Sequence, residues 1–466
     1  METLVKEKIT LEDGSVYEGD LLNGIPHGKG KQTFPNGDIY EGDFFKDELH
    51  GKGKMYFSNK DVYEGDFSHG KMYGKGIMTS SDGVYEGDFV EGRFHGKGKY
   101  TYSGGNIYEG NFSNDKFHGK GKYTSANGVI YEGDWVSNEI NGKGIMTFSD
   151  GMVYEGDFVE GKFHGKGKST YSDGDVYEGD FVYGKRQGKG KIIHKNGVIY
   201  EGDWVDDKFH GKGKLTYADG DVYEGDFVNG ECTGKGKYTF SDGDVYEGDL
   251  VYAQFHGKGK YTYSDGRVYE GDFVDDQFHG KGKYTSANGD IYEGDFVDDQ
   301  FHGKGKLTYA DGTVYEGDFV DGECTGKGKL TYASGTVYEG DFVDDQLHGK
   351  GKLTYADGDV YEGDFVNGEC TGKGKYTFSE DGDIYEGDFV DGKRTGKGKM
   401  TFGDEDIVYE GDFVDGKFHG KGKYTFSNGD IYEGDFIDFH FHGKGKMTYT
   451  DGKIVEGNWK DGKYLG

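Results

Sequence analysis

The sequence predicts an all-β chain, an elongated single-layer antiparallel sheet or solenoid of about 20 stacked β-hairpins. Three observations predict it. One unit of about 23 residues runs head to tail: Tyr-Glu-Gly begins at Tyr17, Tyr40 and Tyr63, then every 23 residues from Tyr85 to Tyr361, then at Tyr385, Tyr409 and Tyr432, with a degenerate copy from Val455. A fixed short period marks an array in which each unit packs on its neighbours. Within every unit, two stretches alternate apolar or small with charged residues, the period of a half-buried strand. Asp-Gly and Asn-Gly signals between those stretches are hairpin-turn chemistry.

The elements follow in order. Residues 1–16 form a half-repeat, because Lys6 to Leu11 matches the second strand of a unit. Residues 17–454 hold nineteen repeats of 22–24 residues, and residues 455–466 a partial repeat that ends on a lone first strand. In the unit from Tyr223 to Val245, Tyr223 to Val228 is the first strand and Gly234 to Phe240 the second. SDGD is the connector to the next unit. Three length changes fall in connectors, at Ser80 to Val84, Ser379 to Gly382 and Gly403 to Asp406, where loops tolerate them.

The same pattern predicts a register. Tyr223 opposes Tyr238, Gly225 opposes Gly236 and Phe227 opposes Gly234, so rings lie over glycines on one face. Glu224 then opposes Lys237 and Asp226 opposes Lys235 on the other. A slip by one residue would set acid against glycine and bury charge.

Composition narrows the class. Gly 90 against Pro 2 excludes collagen, and rings at fixed positions, 16% of all residues, argue against disorder. The net charge of −32 excludes nucleic acid as a partner, since that binding needs a cationic surface. No apolar run reaches the ~18 residues of a membrane span, and the opening residues lack the apolar core of a signal peptide. Cys232, Cys324 and Cys370 are odd in number and several units apart, so they read as reduced thiols of an intracellular, cytoplasmic protein.

YEGDF, a turn, then HGKGK followed by an aromatic or aliphatic residue resembles the MORN (membrane occupation and recognition nexus) repeat, over essentially the whole chain. The resemblance implies stacked antiparallel hairpins in a twisted sheet with an aromatic groove. It also admits a homodimer, with a zinc site at the dimer contact. Enzymatic segments that accompany some MORN arrays have no counterpart here.

The candidate chemistries reduce to structure. Twelve of the fifteen histidines recur at the eleventh place of a unit, but equivalent places lie two strands, about 9–10 Å, apart, too far to share a zinc ion. The SDGD loops lack the ligand spacing of a calcium hand, and Gly-Lys-Gly-Lys lies in a strand without the helix a phosphate loop needs. No catalytic constellation interrupts the repeat, so neither enzyme activity nor a cofactor is expected. On the polar face 36 lysines meet 38 carboxylates, which disfavours anionic lipid.

The expected function is a non-enzymatic protein-interaction scaffold for cytoskeletal or membrane-apposed partners. The alternatives are a phosphoinositide-binding module and a ciliary or flagellar axonemal component. The candidate partner surface is a stripe of rings at Tyr223, Phe227, Tyr238 and Phe240 and their equivalents, with Trp135, Trp204 and Trp459 as special points along it.

Overall fold

The structure, a computed structural model, describes residues 4–403 and 405–466. Part of the third length change, at Asp404, lies outside them. The described residues form strands and turns and no helix. They fall into two units, one ending at Cys232 and one running from Thr233 to Gly466. Each is a single antiparallel layer in which consecutive strands pair.

Short and long strands alternate because each repeat offers one alternating stretch on either side of its turn. Val268–Val274 and Gln277–Thr285 are a typical pair. Their turn has two central residues at positive φ, Asp275 at 49° and Asp276 at 70°. That is the hairpin turn whose twist matches the flanking strands. Asp, Asn and Gly accept this conformation; Ala253, at 66°, fits it poorly. Ala253→Gly is therefore expected to stabilise the second unit by about 0.5–1 kcal/mol in urea titrations.

The hairpin register matches the sequence expectation for half its length. Tyr269 opposes Tyr284, Glu270 opposes Lys283 and Gly271 opposes Gly282. A bulge then intervenes, and Asp272 faces His279 while Phe273 faces Phe278. The expected Asp–Lys and Phe–Gly pairs within a hairpin are thus corrected. The physical reason is local: Gly280 turns to φ 58°, and the Asp272 carboxylate accepts the Lys281 N–H at 3.1 Å, satisfying a donor that the bulge removes from the ladder.

The complete expected register occurs instead between repeats. Gly280 opposes Phe296, Lys281 opposes Asp295, Gly282 opposes Gly294, Lys283 opposes Glu293 and Tyr284 opposes Tyr292. The ion pairs follow it, with Lys281–Asp295 at 2.6 Å and Lys283–Glu293 at 2.8 Å. Each such exposed pair contributes about 0–1 kcal/mol. Asp295 also accepts the Lys304 N–H of its own repeat at 3.3 Å. One carboxylate therefore holds its own hairpin and latches it to the preceding one.

The core is a single file of rings. Tyr269 is fully buried over the Gly271–Gly282 pair, so near that a Cβ on Gly282 would lie 2.5 Å from its ring. Phe278 stacks on it at 3.8 Å, while Phe273 and Phe296 of the next repeat meet it edge-on at 5.1 and 5.0 Å. The Tyr269 hydroxyl donates to the Asp272 carbonyl at 2.8 Å. Its burial is complete without a second layer.

The two ends differ. The opening strand is Val5–Thr10, paired to Val16–Leu22 in the inter-repeat register. The last first strand, Ile454–Lys460, is not alone: Lys463–Tyr464 pairs beside it, Leu465 N–H donates to the Asn458 carbonyl at 2.8 Å, and the Tyr464 ring lies over Gly457.

Candidate interaction surfaces

The structure divides the expected ring stripe into an inner and an outer row. Tyr223 and Phe227, in the first unit, are buried, their rings 5.1 Å apart and edge-on. Trp135, Trp204 and Trp459 are buried as well. Their indole N–H groups donate to the carbonyls of Gly121, Gly190 and Gly445 in the preceding repeat, at 3.2, 3.0 and 3.1 Å. These five side chains hold repeats together and present no ring face to a partner. The tenth-place side chain is what covers the tyrosines: Phe94, Phe117 and Phe209 stack on Tyr85, Tyr108 and Tyr200 at 3.7–3.9 Å.

The outer row stays half-buried. In the second unit Tyr238 and Phe240 lie 4.5 Å apart, and Phe240 continues to Tyr261 at 6.0 Å. Tyr261 and Tyr263 repeat the arrangement at 4.6 Å, as do Tyr376 and Phe378. Some outer hydroxyls are tied to connector acids: Tyr261 donates to Asp244 and Tyr376 to Asp359, at 2.8 and 2.7 Å.

The first unit carries a groove of about 1180 Å³ on the charged face. Its walls include Lys52, Glu64, Glu86, Lys97 and Lys99 above a floor of glycines. The lysines are mostly neutralised, as Lys52 is by Asp66 at 2.7 Å and Lys54 by Glu64 at 3.1 Å. Two departures from the repeat offset each other: Asn111 stands opposite Lys97 where most repeats have Asp, and Ile77 stands opposite Glu86 where most have Lys. The groove keeps the near-neutral balance of the whole face.

Titration follows from these pairs. The Lys327 ammonium holds the Asp341 carboxyl below its ordinary value, and Lys373 does the same for Asp388. A carboxyl depressed in the folded state lends stability above the unfolded value, about 3.9, and loses it as pH falls through the folded one. Melting temperature is therefore expected to hold from pH 8 to 5 and to drop between about pH 4 and 3, with a smaller drop in 1 M NaCl. A melting temperature that rises in that acid range would contradict it.

Reactive groups are sequestered. Burial pushes the thiols of Cys232 and Cys370 up to about 11 and that of Cys324 up to about 12, which leaves them protonated and inert at neutral pH. Among the described residues no three His, Cys, Asp or Glu side chains gather as metal ligands. The connector acids cap turns: Asp244 accepts the Ser264 N–H of the next repeat, and Asp290 that of Ala310, both at 2.8 Å.

Among solved structures, the chain is similar to the Drosophila melanogaster SAS-4 TCP domain in complex with a proline-rich motif of Ana2. Identity is 17%, over 37% of this chain and 88% of that one, with a TM-score of 0.23. The Danio rerio CPAP TCP10 domain in complex with a STIL peptide is 14% identical, over 62% and 97%, with a TM-score of 0.18. No curated protein matches the chain. The MORN repeat matches nineteen consecutive segments, from 17–39 and 40–62 through to 409–431 and 432–454, and the chain belongs to the MORN repeat family.

Proposed function

We propose that the chain is a non-enzymatic scaffold that holds protein partners along its repeats and organises them in a cytoskeletal or membrane-apposed structure. The observation that carries this reading is the division of the rings. The inner row is consumed by the fold, while the outer row recurs half-exposed at the same place in successive repeats, a periodic apolar surface of the kind that marks interaction sites. The cellular setting rests on the family alone.

The test is affinity capture with mass spectrometry, comparing the native chain with a Tyr309→Ser/Tyr332→Ser variant in the outer row. Partners lost by the variant support the reading. Flotation with phosphoinositide vesicles decides the lipid alternative: salt-sensitive binding of the native chain, without captured proteins, would sink the scaffold.

A further inference from the structure

One stretch of the second unit breaks the charge balance kept elsewhere. Over the five hairpin turns from Asp275 to Glu369, the turn residues supply nine carboxylates and no lysine or arginine. The next two turns restore cations, Lys393 pairing with Asp415 at 3.5 Å and Lys417 with Asp438 at 3.6 Å. Part of the acidic row is structural. Asp276, Asp299 and Asp345 each accept an N–H of the preceding repeat at 2.7 Å. The aspartates one place earlier point elsewhere. Asp298 and Asp321 come no nearer than 3.8 and 3.9 Å to the Nδ1 atoms of His279 and His302.

Beside that row runs an exposed apolar one. Val274, Val297, Val320, Val343 and Val366 are each 38–48% exposed, one per repeat, at the turn end of the charged face. In the preceding repeat Val251, 42% exposed, continues this row, and Tyr252, 74% exposed, stands beside it at the place that the aspartates hold. Buried aromatic anchors are what interfaces use, and an exposed tyrosine beside a row of apolar side chains is such an anchor without its partner.

Geometry narrows the occupant. Equivalent side chains recur every two strands, about 9.5 Å. Three residues of polyproline II span about 9.3 Å and bring every third side chain to one edge. A helical heptad spans about 10.5 Å and would drift by about 1 Å per repeat. Charge narrows it further, because a row of unneutralised carboxylates selects a cationic ligand and repels anionic lipid.

We propose that the edge from Tyr252 to Glu369 docks a basic partner segment in polyproline II form. Its apolar side chains recur every third residue against the valines, and its Lys or Arg side chains meet the aspartates. The proposal rests on the scaffold reading and names its class of partner.

The probe is a labelled peptide of five Val-Pro-Lys triplets, titrated with the full chain by fluorescence anisotropy. Saturable binding at 50 mM NaCl is expected, weakened at least 10-fold at 300 mM. Asp298→Asn/Asp321→Asn/Asp344→Asn is expected to weaken it at least 10-fold, and Asn tolerates the positive φ of these positions, 48–50°. Val297→Ser/Val320→Ser/Val343→Ser should weaken it comparably. Asp265→Asn/Asp311→Asn/Asp357→Asn, which removes the same charge from the connectors, should leave it unchanged.

Absence of saturation, or equal loss in both Asn variants, overturns the edge assignment. If the peptide fails while the native chain captures partners that its outer-row variant loses, the edge assignment falls and the scaffold reading stands. If the peptide binds as expected and no protein is captured, it is the scaffold reading that falls.

Discussion

Gly282→Val is expected to unfold its hairpin and the facing edge of the next repeat, at a cost of about 3 kcal/mol or more. Gly282 lies under the Tyr269 ring and opposite Gly271, and the space for its missing Cβ is already filled at 2.5 Å. A valine there must expel the tyrosine. Tyr269 would then lose its stack on Phe278, its edge contacts with Phe273 and Phe296, and its hydrogen bond to Asp272. Hydrogen exchange should show lost protection from Val268 to Val297, with the remaining repeats of the unit still protected, as nearest-neighbour arrays behave. Unchanged protection there would refute the ring-over-glycine account of the core. Gly266→Val, at a connector glycine with open space around it, is the control; its positive φ of 93° makes it a strained but local change.

The second large effect concerns deletions. Removing the 23 residues 292–314 should preserve the fold and shift the melting temperature by only a few degrees, because Thr285 is followed by the same first strand one repeat later. Removing nine residues, 291–299, deletes one first strand and its turn. The strand Gln277–Thr285 would then meet Gln300–Thr308, with Lys281 facing Lys304 in place of Asp295 and Lys283 facing His302 in place of Glu293. Like charges across strands repel, and the buried tyrosine of that repeat is gone. Loss of cooperative folding in the flanking repeats is expected, read as a broadened or lowered urea transition. A deletion of nine residues tolerated as well as one of 23 would show that strand pairing is not specified by these side chains.

Much of this was legible in the sequence. The period-two alternation gave both strands of each repeat, and the Tyr–Tyr and Gly–Gly oppositions followed from placing charge opposite charge. The bulge was not, because the residue pattern alternates without a break from Tyr269 to Phe273. The signal that could have shown it is the glycine at the twelfth place, Gly280 in that repeat, whose positive φ lets two residues leave the ladder. The partner of Lys281 and its equivalents differs for the same reason: the facing residue is an aspartate as expected, but it belongs to the next repeat, whereas the Glu270–Lys283 opposition within the hairpin stands. Burial of Tyr223 and Phe227 was hidden because the tenth-place side chain reads as part of a turn until the bulge folds it onto the tyrosine. Trp135, Trp204 and Trp459 looked exceptional by rarity, yet each fills an ordinary phenylalanine place and adds one hydrogen bond to the preceding repeat.

The latch made by each first-strand aspartate has a mechanical consequence. Lys281–Asp295 and Lys283–Glu293 cross the junction between hairpins, whereas the hairpin itself is interrupted by its bulge. Under a pulling force along the chain, a terminal hairpin must break its latch to the neighbour before it peels away, and each release frees 23 residues, roughly 75–80 Å of extended chain. Force spectroscopy of either unit should therefore give a sawtooth of near-equal steps, the signature of a ratcheted tape that yields one tooth at a time and re-engages when the load is removed.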